Sequence, residues 1–122
     1  MGSDCLFCRI VAGDAPADIV YQNEHLVAFR DIYPAADTHV LIVPRKHITG
    51  IAAAEESDKA LLGEVLYAAR LIAEQLGVSD AFRLVVNNGA RAGQSVFHLH
   101  VHLLAGRLNR RAAAHFAAQG ER

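Results

Sequence analysis

The sequence predicts an α+β fold with a mainly antiparallel five-stranded sheet, one long helix and a short N-terminal helix. Three observations carry this expectation. One long segment has apolar residues at helical spacing, and five short segments are β-branched or alternate with period two. They occur in the order strand, strand, strand, long helix, strand, strand. A chain of 122 residues that is 52% hydrophobic is one domain, 1–122, able to bury a core.

Residues 5–12, CLFCRIVA, suit a short helix stopped by Gly13. After the Gly13-Asp14-Ala15-Pro16 turn, Ile19 to Gln22 and His25 to Arg30 read as strands joined by Asn23-Glu24 in a hairpin. Pro34 interrupts the chain. The run Thr38 to Val43 is β-branched and nearly continuous, as in a strand buried on both faces, and Pro44 closes it. From Ser57 to Leu76 the apolar residues Leu61, Leu62, Val65, Leu66, Ala69, Ile72, Ala73 and Leu76 line one helical face. Ser57 is the expected N-cap, Asp58 suits the first turn and Gly77 supplies a left-handed stop. Phe82 to Val86 and His98 to Leu104 complete the strands, with the glycine-containing loop NNGARAGQS between them. Residues 110–122 read as a loose, alanine-rich polar tail.

Composition excludes several classes. A formal net charge of −1 provides no basic surface for nucleic acid, so a nucleotide partner is expected to be a small molecule. No apolar run is long enough to span a bilayer and no secretory pattern opens the chain, which makes the cytoplasm the expected location. Cys5 and Cys8 stand at C-x-x-C spacing, which in a reducing compartment points to metal or redox chemistry before a structural disulfide. The spacing alone supplies only two ligands where structural zinc takes four, so buried or redox cysteines remain open. No strand precedes Cys5 as a redox βαβ unit would require, and no redox cofactor is expected.

The stretch QSVFHLHVHLLAG, residues 94–106, places His98, His100 and His102 at every second position between Leu99, Val101 and Leu103. On an extended chain all three imidazoles project from one surface, roughly 6.5–7 Å apart along the strand, while the aliphatic residues bury on the other. Chance packing is the weaker account, because each partly buried ring needs a polar partner. A His-x-His metal site of the zinc-hydrolase kind lacks nearby carboxylates. The other reading makes one neutral imidazole a nucleophile toward a phosphoryl centre, with its neighbours positioning substrate or moving protons. The preceding Gly93-Gln94-Ser95 favours it, since such a turn offers N–H groups and a hydroxyl to phosphate oxygens.

GQSVFHLHVHLL resembles the defining motif of the histidine triad (HIT) superfamily, and its GQS lead-in resembles the nucleotide-binding, phosphoramidase-like (Hint) branch. CLFCRIVAGDAPADIVY, LVAFRDIYP, THVLIVPRKHI and VVNNG resemble further segments in the family's order, up to Gly106-Arg107. The resemblance implies a HIT-like fold that pairs through its long helix and an edge strand into a homodimer with one continuous sheet. It implies hydrolysis of purine nucleoside monophosphates, AMP or GMP, carrying an amine or other leaving group on the α-phosphate. His100 would attack phosphorus and form a nucleotidyl-histidine intermediate. His102 and Ser95 would contact the phosphate and leaving group, with His39 near them and Gly93 and Gln94 in the phosphate turn. Asp31 would hold the ribose hydroxyls and Asn87 the phosphate end. Leu6, Phe7, Ile10, Phe29, Ile32 and Leu41 would wall the base pocket, although sequence alone favours ordinary core packing for those six.

The resemblance also implies a structural zinc held by Cys5, Cys8, His47 and His98. His98 would then be unavailable as an acid or base. Dinucleoside polyphosphate hydrolysis, nucleotidyl transfer and non-catalytic nucleotide sensing are the alternative activities. The tryptophan-containing tail common in this branch is absent, since the chain has no tryptophan and ends LNRRAAAHFAAQGER. Arg110 and Arg111 within it are expected to solvate the tail rather than contact an acidic leaving group.

Overall fold

The computed structural model describes residues 4–112 and Phe116. Helix α1, Leu6–Ala12, precedes the hairpin strands β1, Ile19–Gln22, and β2, Leu26–Arg30. Strand β3, Ala36–Pro44, is followed by two 3₁₀ turns, helix α2, Lys59–Gln75, and strands β4, Arg83–Val85, and β5, Val101–Leu108. The strands form one antiparallel sheet in the order β1-β2-β3-β5-β4, as the α+β pattern predicts. Among the described residues no helix is long and apolar enough to cross a membrane.

Period-two alternation divides the sheet between two cores. Leu26 and Ala28, Val40 and Ile42, and Val101 and Leu103 meet Val65, Ala68, Ala69, Ile72 and Ala73 of α2. The intervening Val27, Phe29, Leu41 and Val43 face Phe7 and Ile10 of α1. His39 and His102 share the parity of this second face, so the functional side chains emerge on the side that α1 covers only in part.

Several boundaries differ from expectation for local reasons. His25 lies outside β2 because the Asn23 side chain accepts hydrogen bonds from the N–H groups of His25 and Leu26, forming a turn. Ser57 is not the helix cap. Glu55 and Asp58 form a capping box around a 3₁₀ turn, in which Asp58 accepts the Glu55 N–H at 2.8 Å and the Lys46 ammonium at 2.6 Å. Lys46 and the Glu55 N–H hold the Asp58 carboxyl below its ordinary pKa. The largest departure is at β5, which begins at Val101 rather than His98 and runs on to Leu108. Its ladder with β3 ends at the Ile42–Val101 pair, Pro44 has no N–H to extend it, and the Leu99 N–H goes to the Ile48 carbonyl at 2.6 Å. Past Ala105 the ladder slips at Gly106, whose φ of +83° leaves room for Asp37; a Cβ there would lie 2.7 Å from that side chain. Of the expected tail, Arg110–Ala112 form a helical turn and Phe116 packs against the cluster of Ala35, Ala36, Leu104 and Ala112. The remainder of 110–122 lies outside the described residues.

Ile72 is fully buried between α2 and the sheet. Ile72→Ala is expected to lower stability by about 3 kcal/mol, read as a reduced urea midpoint with an unchanged m-value.

Candidate functional site

Helix α1 begins at Cys5, whose extended backbone and thiol cap the Cys8 N–H at 3.3 Å, so both thiols lie at the helix's first turn. Gly13 ends the helix in the left-handed conformation, as expected. Across from the thiols stand His47, just after β3, and His98. Cys5 Sγ is 3.4 Å from His98 Nδ1, Cys8 Sγ is 3.2 Å from His47 Nδ1 and 3.5 Å from His98 Nδ1, and the two Nδ1 atoms are 3.2 Å apart. A tetrahedral zinc spaces its ligand atoms about 3.3 Å (N···N) and 3.5 Å (N···S) apart. The four residues therefore fit a closed structural zinc site. His98 is fully buried, and its Nε2–H donates to the Pro44 carbonyl at 2.8 Å, which leaves the Nδ1 lone pair for the ligand cluster. Burial keeps its pKa low and the ring neutral. Burial also raises the Cys8 thiol, and the adjacent Cys5 raises it further, an ionisation cost that a dication among the sulfurs offsets.

The same logic orients His100. Its Nδ1–H donates to the His98 carbonyl at 2.7 Å, so the lone pair resides on Nε2. The ring is almost wholly buried, and desolvation lowers its pKa, opposed by that hydrogen bond and by the charge of Asp31. His39 is set from the opposite side. The Ala35 N–H donates to its Nδ1 at 2.9 Å, leaving a proton on Nε2, which lies 2.9 Å from His102 Nδ1 and 3.5 Å from an Asp31 oxygen. A neutral His102 that accepts this proton at Nδ1 carries its own on Nε2. The centroids of His100 and His102 are 4.9 Å apart, closer than the backbone repeat, with the ring planes at 66° in an edge-to-face contact.

These rings open into a cavity of about 430 Å³. Of the residues singled out in the sequence, Leu6, Phe7, Ile10, Phe29, Asp31, Ile32, His39, Leu41, Asn87, Gly93, Ser95, His100 and His102 line it. Gln94 does not. Its buried amide accepts the Gly89 N–H at 2.8 Å and donates to the Thr49 and Val96 carbonyls, so it holds the loop together. Phe7 joins the two sites, making edge contacts with Phe29 at 5.4 Å, His100 at 5.1 Å and His98 at 6.0 Å. Tyr33, Phe116 and Arg111 also line the cavity; the first two escaped the sequence reading, and Arg111 was expected only to solvate the tail. Phe116 was the one signal available, a lone aromatic in an alanine-rich tail.

Comparison with known proteins places this geometry in a family. Residues 12–109 match the HIT domain. The chain is 46% identical over 107 residues to a 14 kDa zinc-binding protein of Zea mays, covering 86% of this chain and 84% of that protein. It resembles the solved structure of a HIT family hydrolase from Legionella pneumophila with a TM-score of 0.82 and 45% identity, over 84% of this chain and 93% of that one. The histidine triad nucleotide-binding protein of Candida albicans matches with a TM-score of 0.74 and 28% identity, over 81% of this chain and 72% of that one. With the family match spanning most of its length, and with His100 and His102 of the triad lining one cavity while His98 joins the Cys/His cluster, the chain belongs to the histidine triad (HIT) family.

Proposed function

We propose that the protein is a purine nucleoside phosphoramidase-like hydrolase, cleaving the bond between an α-phosphate and its leaving group through a nucleotidyl-histidine intermediate. The observation that carries this reading is the orientation of His100. A backbone carbonyl holds the Nδ1 proton, and the Nε2 lone pair belongs to a ring that lines the cavity. That is the protonation state a nitrogen nucleophile requires, reached without a general base. In the first step Nε2 forms a bond to phosphorus, the bond to the amine breaks, and the amine takes up a proton from solvent as it leaves. In the second, water attacks phosphorus and releases a proton to solvent, the His100–phosphorus bond breaks, and the nucleoside monophosphate departs as the lone pair returns to Nε2. His102, donating through Nε2–H, and the Ser95 hydroxyl stabilise charge on the phosphoryl oxygens. The apolar wall of Leu6, Phe7, Ile10, Phe29, Ile32 and Leu41 suits a purine base such as that of AMP or GMP. The Asp31 carboxylate suits ribose hydroxyls, and Asn87 and Gly93 suit the phosphate end.

A zinc held by Cys5, Cys8, His47 and His98 would supply cross-linking rather than chemistry, since four protein ligands leave no open position, and would tie α1, and with it Phe7 and Ile10, to the triad segment. Its thiolate ligands suit a reducing compartment, which supports a cytoplasmic location. Homodimer formation is supported by apolar residues that the fold leaves uncovered. Leu66 and Tyr67 are more than half exposed on the outer side of α2, and Leu84 is exposed on β4, an edge strand of the sheet.

Three outcomes test this reading. Wild-type protein should hydrolyse adenosine 5′-phosphoramidate and accumulate an acid-labile adduct on His100 in rapid-quench experiments. His100→Asn should lose activity by on the order of a thousandfold or more while still binding AMP. Because burial lowers the His100 pKa, the nucleophile stays neutral below the ordinary histidine range, and the acid limb of kcat/KM should lie below pH ~6.5. A folded wild type that binds AMP without turnover would instead favour a nucleotide sensor. Metal analysis should find zinc in the purified protein, with Cys5→Ser losing it and melting about 10 °C lower. Leu66→Glu should shift the species seen by light scattering from dimer to monomer.

A further inference from the structure

Beyond the triad the cavity has a second, chemically distinct end. The guanidinium of Arg111 lies 4.9 Å over the Tyr33 ring, and both residues line the cavity together with Phe116. Phe116 in turn makes an edge contact with His102 at 5.0 Å between centroids. The sequence led to the expectation that Arg111 only solvates the tail, but here it is held on an aromatic platform that faces the site. Arg111 has no acidic partner among the described residues, whereas Arg30, the other cavity cation, is paired with Asp18 at 3.6 Å.

We infer that Arg111, Tyr33 and Phe116 form a leaving-group subsite that selects an amine carrying a carboxylate. The inference rests on the hydrolase reading above and adds the class of leaving group. The aromatic rings offer apolar surface to a carbon frame, and the planar guanidinium offers paired donors to one carboxylate. A polyphosphate leaving group fits less well. It would bring several negative charges to one unpaired cation, in a cavity that already contains the Asp31 carboxylate. Arg111 is exposed at the rim, so its contribution is sensitive to salt.

The test compares two adenosine 5′-phosphoramidates of matched shape, one with β-alanine as the amine and one with β-alanine amide, beside ADP. Wild-type kcat/KM should favour the carboxylate about fivefold. The preference should shrink as salt rises from 50 to 500 mM and disappear in Arg111→Ala. Tyr33→Leu, which removes the platform, should reduce the same ratio. Equal cleavage of the two amines by wild type, or a ratio unmoved in Arg111→Ala, overturns the inference. Faster cleavage of ADP than of the β-alanine conjugate overturns it in favour of a phosphate-bearing leaving group. The ratio of Kd values for the two conjugates on His100→Asn protein reads the subsite without turnover. Failure of hydrolysis altogether would therefore sink the catalytic reading while the binding ratio still decides the role of Arg111.

Discussion

Each buried imidazole in the site is oriented by a main-chain group, and this constraint governs what the rest of the structure can do. The Pro44 carbonyl takes the Nε2 proton of His98, the His98 carbonyl takes the Nδ1 proton of His100, and the Ala35 N–H occupies Nδ1 of His39. A buried ring costs free energy unless its nitrogens are satisfied, and backbone partners provide this without introducing charge. The consequence is a division of labour between chemically identical side chains. His98 turns Nδ1 toward the thiols, and His100 keeps Nε2 bare. The backbone of 98–100 can serve as a hydrogen-bond partner because it lies outside the β3–β5 ladder.

The short helix α1 links the two centres. Its first turn carries the thiols, while Phe7 one turn on touches Phe29, His98 and His100. A seven-residue helix has little intrinsic stability, and its position depends on tertiary anchors. The apolar cluster with Val27, Phe29, Leu41 and Val43 is one such anchor, and the Cys₂His₂ cluster is another. Because that helix also forms part of the cavity wall, the Cys/His cluster and the cavity are coupled through a single aromatic ring, at a centroid distance of 5.1 Å from the nucleophile candidate.

Much of the fold was legible because its determinants are local. The helical spacing around Val65, Ala69 and Ile72, the left-handed stops at Gly13 and Gly77, and the alternation of Val101 and Leu103 with the histidines all reflect a periodicity that the backbone imposes. Errors occurred where a distant or competing hydrogen bond decided the outcome. Asp58 formed a capping box with Glu55 and an ion pair with Lys46, in place of the capping role expected of Ser57, and Asn23 turned the chain before β2. Gln94 illustrates the same limit within the site. Its place in a motif suggested phosphate contact, but Thr49, far away in sequence, takes its amide proton.

By itself the sequence determined the strand and helix order, the common face of the three histidines and the chemical types of the ligand and nucleophile candidates, since these follow from period and residue type. Tertiary structure alone decided which nitrogen of each ring carries the proton and that Arg111 and Phe116 return from the C-terminal side to the cavity, and it brought together the cluster of Cys5, Cys8, His47 and His98 that the family resemblance implied. Several of those outcomes depend on contacts between residues tens of positions apart, such as His98 with the Pro44 carbonyl and with His47, set by the closure of two cores on one sheet. No local periodicity encodes them.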